Sequence, residues 1–275
     1  MIDPKLNGVA TTSLLVAAMR DLETKRSDEE GRLFSDPFAG ALAGEFGIGL
    51  MERAIAEVGE QPAIAIRTAF FDEKIINALN IGVRQIVMLA AGMDSRAYRI
   101  NFPAGTTLFE LDQPEVLAYK NAKLDNIQPQ CNRIEIALDL REEWQGQLID
   151  AGFKRQHKTL WIIEGLLMYL EEEQVITLFE RINSLASPND LALFDIFNRH
   201  LLESPFMQTQ LNFLKSLGAP WKFGTNDPEK FMKELGWSIQ LSQAGEYAPT
   251  RWPFPVAPRH IPNMPRGFFA EGLKI

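Results

Sequence analysis

The chain has 275 residues, of which 46% are hydrophobic and 23% charged, and its formal net charge is -8. This composition excludes a disordered or fibrous chain and leaves enough apolar residues for a large core. The negative charge argues against nucleic acid or an anionic membrane surface as the main partner, because both are bound by clustered Lys and Arg, and it fits small uncharged or cationic substrates better.

The cysteine and histidine counts argue against a disulfide or a metal centre. Cys131 is the single cysteine, and the three histidines show no spacing typical of metal ligands. The amino-terminal residues lack a basic segment followed by an apolar core, and no run approaches the roughly 18 apolar residues that span a bilayer. We therefore expect a cytoplasmic protein without a membrane-spanning segment or a metal.

The first 80 residues have a helical pattern, and we predict that they form a cap across the ligand site. Leu14, Ala18 and Leu22 share one helix face, with a capping hydroxyl available at positions 11–13.

A second amphipathic pattern surrounds Arg67. Phe71, Ile75 and Leu79 recur every fourth residue, so Arg67 could be no more than a solvated position on this helix.

The central part of the chain begins with a strongly apolar run at 85–90 that breaks at Gly92. Such a run is typical of a buried parallel strand, and a glycine at its carboxyl end lets a ligand approach the backbone. Asp112 ends the next short strand, 20 residues later, where a ribose hydroxyl pair is commonly held. Because only one of the three fingerprint glycines is present, the pattern indicates a nucleotide but only weakly NAD.

Two further strands are predicted at 133–137 and 159–163, and they place Asp139-Leu140 and Glu164-Gly165 at their carboxyl ends. The ligand crevice of an open α/β sheet lies at this edge. Acids here could instead favour the start of a helix, an interpretation that we prefer for Glu142 and Glu143 only. Glu164 ends a strongly apolar strand and needs a cation or solvent.

The remaining elements complete a single domain, 1–275. Helical spacing predicts a crossover helix over 171–186, a stop at 187–190 and a strand at 191–194. We assign 85–196 to the core, 197–235 to an inserted helical lid and 236–275 to closing strands. The order of elements predicts a doubly wound α/β sheet with helices on both faces and a final hairpin near its edge.

The lid contains Phe206, Met207, Phe213, Trp221 and Phe223 among polar residues. We interpret these side chains mainly as the core of the lid, because large apolar side chains are usually buried for packing alone, with a substrate cage as the alternative.

Five segments in this order resemble the leucine carboxyl methyltransferase family of S-adenosylmethionine-dependent enzymes, in particular its bacterial branch of small-molecule O-methyltransferases. They are IRTAFFD (66–72), LAAGMDSR (89–96), FELDQP (109–114), DL (139–140) and WIIEGLLMYL (161–170). The resemblance covers most of the chain. It implies a mostly parallel, seven-stranded Rossmann-like methyltransferase sheet, with S-adenosylmethionine as the cofactor.

The resemblance also implies contacts to the amino acid part of that cofactor. Arg67 would pair with the methionine carboxylate, which suits the planar fork of a guanidinium. Gly92 would let the backbone approach, and Glu164 would lie near the amino group or the sulfonium. Where the family usually reads Gly-Ala-Gly after the first strand, this chain has Ala90 in the first of those places, which reduces backbone freedom.

The nucleoside part of the cofactor would be held by the other three residues. The resemblance implies that Asp112 takes the ribose hydroxyls and that Asp139 accepts from the adenine amino group. The amide of Leu140 would face the ring.

These observations favour an O-methyltransferase acting on a hydroxyl or carboxylate of a small molecule. Alternatives are a carboxyl methyltransferase acting on a protein or peptide C-terminus, a non-catalytic cofactor-binding paralogue and, least favoured, a nicotinamide oxidoreductase. His200 is a weak candidate for a general base, and an exposed lid histidine is the better interpretation.

Overall fold

The computed structural model of the protein describes residues 6, 8–60 and 62–275, so positions 1–5, 7 and 61 of the predicted cap lie outside the described residues. The helices of the described chain are α1 (Val9–Thr24), α2 (Ala39–Val58), α3 (Pro62–Asn80), α4 (Arg96–Arg99), α5 (Pro114–Leu124), α6 (Gln145–Asp150), α7 (Glu172–Asn183), α8 (Arg199–Glu203), α9 (Gln208–Ser216), α10 (Pro228–Glu234) and α11 (Ala244–Tyr247). Its strands are β1 (Gln85–Leu89), β2 (Thr107–Asp112), β3 (Asn132–Ala137), β4 (Thr159–Ile163), β5 (Leu191–Phe197), β6 (Trp237–Ser242) and β7 (Gly267–Lys274).

The seven strands form one sheet in the order β3-β2-β1-β4-β5-β7-β6. Strands β1 to β5 run parallel to one another, whereas β7 is antiparallel to both β5 and β6. The order reverses next to β1, since β2 follows on one side and β4 on the other. The predicted doubly wound sheet with a hairpin at its edge is therefore confirmed.

Both faces of the sheet are buried, which explains why its central strands read as continuous apolar runs. In β1, Ile86 and Met88 pack into a cluster with side chains of α1, α2 and α3. The alternate residues, Val87 and Leu89, pack into a second cluster with side chains of α7. The amino-terminal cap thus covers one face of the sheet, and the crossover helix covers the other.

The starts of two helices differ from the predicted ones. Helix α1 begins at Val9, so the predicted capping residues lie inside it, and the hydroxyls of Thr12 and Ser13 donate back to the carbonyls of Val9 and Ala10 at 2.7 Å. Helix α6 begins only at Gln145 and has no acidic residue in its first turn. Positions 142 and 143 therefore precede the N-cap residue Trp144 and flank the start of the helix without lying in its first turn.

Strand β5 is longer than the sequence pattern predicts. It continues from the predicted end at Phe194 to Phe197, because β7 pairs with it as far as Gly267. This extension places Asp195 inside the strand. The segment 197–235, which the sequence pattern assigns to a lid, contains α8, α9 and α10. None of the helices in the described ranges is long and apolar enough to cross a bilayer.

Candidate functional site

A cavity of about 540 Å³ lies at the carboxyl ends of β1 to β4 and is covered by α1. This is the edge at which open α/β sheets bind their ligands. All seven residues assigned to cofactor binding line it: Arg67, Ala90, Gly92, Asp112, Asp139, Leu140 and Glu164. His200 does not line the cavity but lies, partly exposed, on α8.

The turn after β1 brings the backbone into the cavity through two left-handed residues. Gly92 has a φ of +49°, and a Cβ at this position would lie 3.1 Å from the Cβ of Ser13 in α1. Ala90 has a φ of +57°, a conformation that costs a residue with a Cβ about 1–2 kcal/mol. The position at which the sequence departs from the family pattern is therefore one whose backbone favours glycine.

Asp112 is tied to this turn by both of its carboxylate oxygens. One accepts from the backbone N–H of Gly92 at 2.6 Å, and the other from that of Gln113 at 2.7 Å. Burial raises the pKa of Asp112 above its ordinary value, although these two hydrogen bonds oppose the shift. Each oxygen of a carboxylate has two lone pairs, so Asp112 can still accept from a ligand hydroxyl.

Asp139 and Leu140 form the next part of the rim, after β3. The Arg141 guanidinium donates to both oxygens of Asp139, at 2.5–3.0 Å, and these hydrogen bonds lower the pKa of Asp139. Arg181 of α7 fixes the loop by donating to the Leu140 carbonyl at 2.8 Å. Asp139 thus presents a charged, oriented acceptor to the cavity.

Arg67 is only 8% exposed, so its alternative interpretation as a solvated helix position is wrong. Its Nη1 donates to Asp195 at 2.8 Å. Its Nε lies 2.9 Å from Glu164 but makes no hydrogen bond, because the N–H is poorly aligned. Nη2 donates to no other residue in the described part of the chain, so it is the donor left for a ligand.

Glu164 connects Arg67 to a second buried guanidinium, that of Arg96. Arg96 is 2% exposed and donates to Glu164 at 2.7 Å, to Asp94 at 2.5 Å and to Asp72 at 2.6 Å. Burial alone would raise the pKa of Asp94, but Arg96 and neighbouring cations lower it to about 2. Asp94 therefore stays ionised at the cavity wall. Arg96 and Asp94 belong to the motif at 89–96, but nothing in the sequence pattern indicates their role.

A further part of the cavity wall is mostly apolar and has a few hydroxyl and amide groups. It is lined by residues of α1, α9 and two loops: Thr12, Val16, Met19, Tyr169, Gln210, Leu214 and Trp221. The Tyr169 hydroxyl lies 3.4 Å from that of Thr12, and burial raises the pKa of Tyr169. The face of α1 could not be identified as cavity-lining from its helical spacing alone.

The lid aromatics divide between the two interpretations that the sequence left open. Phe213 and Phe223 are buried, as expected for core residues, whereas Phe206 is 95% exposed. Trp221 lines the cavity and stacks on Phe197, with ring centroids 4.6 Å apart.

The fold and the cavity together define a Rossmann-like methyltransferase. The chain belongs to the leucine carboxyl methyltransferase family, whose sequence model matches residues 13–183. It is accordingly an S-adenosylmethionine-dependent methyltransferase, and S-adenosylmethionine is its cofactor.

Solved structures share this fold at low sequence identity. A candidate methyltransferase from Thermobifida fusca YX is 14% identical over 99% of this chain and 96% of its own, with a TM-score of 0.65. A DUF574 family protein from Streptomyces avermitilis MA-4680 is 11% identical over 94% and 97%, with a TM-score of 0.61. Magnesium protoporphyrin IX methyltransferase from Synechocystis PCC 6803, solved with bound SAH, is 12% identical over 84% and 95%, with a TM-score of 0.51.

Proposed function

We propose that the protein is an O-methyltransferase that methylates a hydroxyl or carboxylate of a small molecule in the cytoplasm. The observation that carries this proposal is the meeting, in one cavity, of an arginine with an unused donor, four carboxylates and apolar walls. The cavity volume of about 540 Å³ lies within the range of about 300–1,000 Å³ that is usual for small-molecule sites. When bound, S-adenosylmethionine supplies a methyl group on a positively charged sulfur.

The amino acid part of the cofactor fits the side of the cavity next to α3 and β4. Arg67 would donate from Nη2 to the methionine carboxylate, as a charge-assisted hydrogen bond. Glu164, which lines the same wall, would face the ammonium or the sulfonium. The left-handed backbone at Ala90 and Gly92 leaves room for this part of the ligand to pass close to the main chain.

The nucleoside part fits the opposite side, next to β2 and β3. Asp112 would accept from the ribose hydroxyls with its remaining lone pairs, and Asp139 from the adenine amino group. No described residue accepts a hydrogen bond from the Leu140 amide, which is consistent with that amide facing the ring. These three residues come from successive strand ends, so the sheet itself sets their spacing.

The mostly apolar part of the cavity, where we place the methyl acceptor, favours a carboxylate over a hydroxyl as the group that is methylated. None of the three histidines, all in the described part of the chain, lines the cavity. The phenol of Tyr169 has a raised pKa and stays protonated at neutral pH, so it donates a hydrogen bond and does not act as a base. A carboxylate is already a nucleophile at neutral pH, and its alignment with the methyl group can supply much of the acceleration.

The proposal is tested by calorimetry and by a panel of acceptors. We expect heat on titration with S-adenosylmethionine and none with NAD; no heat with S-adenosylmethionine would refute the proposal. Release of S-adenosylhomocysteine should then be followed with apolar carboxylic acids, matched alcohols and phenols, and the Asp112→Ala variant should need a higher S-adenosylmethionine concentration to reach the same rate with every accepted compound.

The natural acceptor can be sought with isotopically labelled cofactor and an extract of the source cell. Label in a small molecule would support the proposal. Label at the C-terminus of a polypeptide would establish the alternative carboxyl methyltransferase, and no label in any molecule would favour the non-catalytic paralogue.

A further inference from the structure

We infer that Asp195 is a positioning residue for cofactor binding: it fixes the Arg67 guanidinium so that Nη2 faces the cavity. Asp195 does not itself line the cavity, and it is 1% exposed within β5. The inference rests on the proposed function, because it assumes that Arg67 receives the methionine carboxylate.

The first support is the hydrogen bonding of Arg67. Two carboxylates lie beside its guanidinium, but only Asp195 accepts a hydrogen bond from it, at 2.8 Å. Glu164 is close to Nε, yet that N–H is buried without a hydrogen bond to a described residue. Glu164 therefore attracts the charge of Arg67, an effect that does not depend on how the guanidinium plane is rotated. The hydrogen bond to Asp195 does depend on that rotation and so orients the guanidinium.

The second support is that Asp195 also holds the surface on which the guanidinium lies. Its other oxygen accepts from the backbone N–H of Gly165 at 2.6 Å. Gly165 has a φ of +68°, and a Cβ there would lie 3.3 Å from Nη1 and 3.4 Å from Nη2 of Arg67. One carboxylate thus ties together the arginine and the glycine backbone against which the arginine packs.

The third support is the setting of Asp195 in the sheet. Its strand is paired on one side with β4 and on the other with β7, so its backbone has little freedom to move. A charge buried in such a place is retained only with a partner, and among the described residues Arg67 is the cation paired with it. The contact spans 128 residues of sequence and joins α3 of the cap to an interior strand of the sheet.

The test compares two ligands that differ at the position Arg67 would recognise. S-adenosylhomocysteine has the amino acid carboxylate, and 5′-methylthioadenosine lacks the whole amino acid part. In Asp195→Asn a single amide oxygen replaces the two carboxylate oxygens that accept from Nη1 of Arg67 and from the backbone N–H of Gly165, so one of these hydrogen bonds is lost. We expect this variant to bind S-adenosylhomocysteine about tenfold more weakly, which corresponds to about 1.4 kcal/mol, and 5′-methylthioadenosine as the wild type does.

Two further variants separate the possible explanations. Asp190 is a buried acid just before the same strand; its carboxylate accepts from the backbone N–H groups of Thr159 and Ser187 and does not contact Arg67. Asp190→Asn should therefore change the affinity for neither S-adenosylhomocysteine nor 5′-methylthioadenosine. In the Arg67→Lys background, Asp195→Asn should have almost no further effect on S-adenosylhomocysteine, because there is no guanidinium plane left to orient.

The outcomes distinguish this inference from the proposed function. If Arg67→Lys binds both ligands as the wild type does, the assigned role of Arg67 is wrong and the inference falls with it. If Arg67→Lys selectively weakens S-adenosylhomocysteine but Asp195→Asn does not, or weakens both ligands equally, only the positioning role is refuted. Should Asp195→Asn fail to fold, Gly165→Ala displaces the guanidinium with the carboxylate intact, and the same selective loss is expected.

Discussion

Replacing Ala90 by glycine is expected to stabilise the protein, although it removes a methyl group. Ala90 has a φ of +57°, and relief of that conformation contributes about 1–2 kcal/mol. Glycine's greater freedom in the unfolded chain offsets about 0.4–1 kcal/mol, and loss of the half-buried methyl costs less than about 0.8 kcal/mol. The expected net gain is about 0.5 kcal/mol in the free energy of unfolding.

The neighbouring residue provides a matched control with the opposite sign. Ala91 has no left-handed backbone to relieve and is 5% exposed, so Ala91→Gly should lose about 1.5 kcal/mol from entropy and the buried methyl. Thermal unfolding without cofactor should separate the two variants by about 5 °C. Ala90→Gly unfolding as early as Ala91→Gly would refute the assignment of strain to position 90.

Three further predictions concern the cofactor site and the core. Asp112→Ala should weaken S-adenosylmethionine binding by about 1–3 kcal/mol in calorimetry, whereas Glu115→Ala, an exposed acid on α5, should not. Because burial raises the pKa of Asp112 above 3.8 and binding uses its ionised form, wild-type affinity should fall as pH drops through that raised value, and Asp112→Ala should lack this step. Phe179→Ala removes a fully buried ring and should cost about 3–5 kcal/mol in denaturant unfolding; a loss under 1 kcal/mol would contradict its place in the core.

The strand ends of the candidate site could be predicted because a simple rule governs them. A parallel strand buried on both faces reads as an apolar run, and the residue after it lies at the ligand edge. Glu164, after the fully buried β4, follows from that rule without knowledge of any contact. Asp139 follows β3, an alternating strand at the edge of the sheet, so only its place after a strand indicates the ligand edge. Arg67 does not follow from the rule, because a helical position beside apolar neighbours is compatible with either solvent or a site, and the resemblance to the family was needed to choose.

Asp195 shows what the sequence pattern could not supply. An acid within the run LALFDIF (191–197) indicates that some partner exists, since an unpaired buried charge is costly, but nothing local identifies Arg67. The same limit applies to α1, where helical spacing shows which face is buried but not that part of it covers a ligand. Contacts between distant elements are set by the tertiary structure. A local sequence pattern shows that a residue needs a partner but does not identify that partner.

The two parts of the cavity differ in their position relative to the stretch of sequence that matches the family. The residues assigned to the cofactor all lie between 67 and 164, inside the matched range 13–183. The mostly apolar part of the cavity is mixed, because its residues in α1 and Tyr169 lie inside that range, whereas Gln210, Leu214 and Trp221 lie beyond it. The cofactor end is formed by strand ends whose spacing the sheet fixes. The part beyond the matched range consists of α9 and the loop after it, which can vary without disturbing the sheet. Membership of the family therefore carries the cofactor to this chain together with its sheet, whereas α9 and the loop after it lie outside the matched range, so the match says nothing about the acceptor that they contact in our proposal.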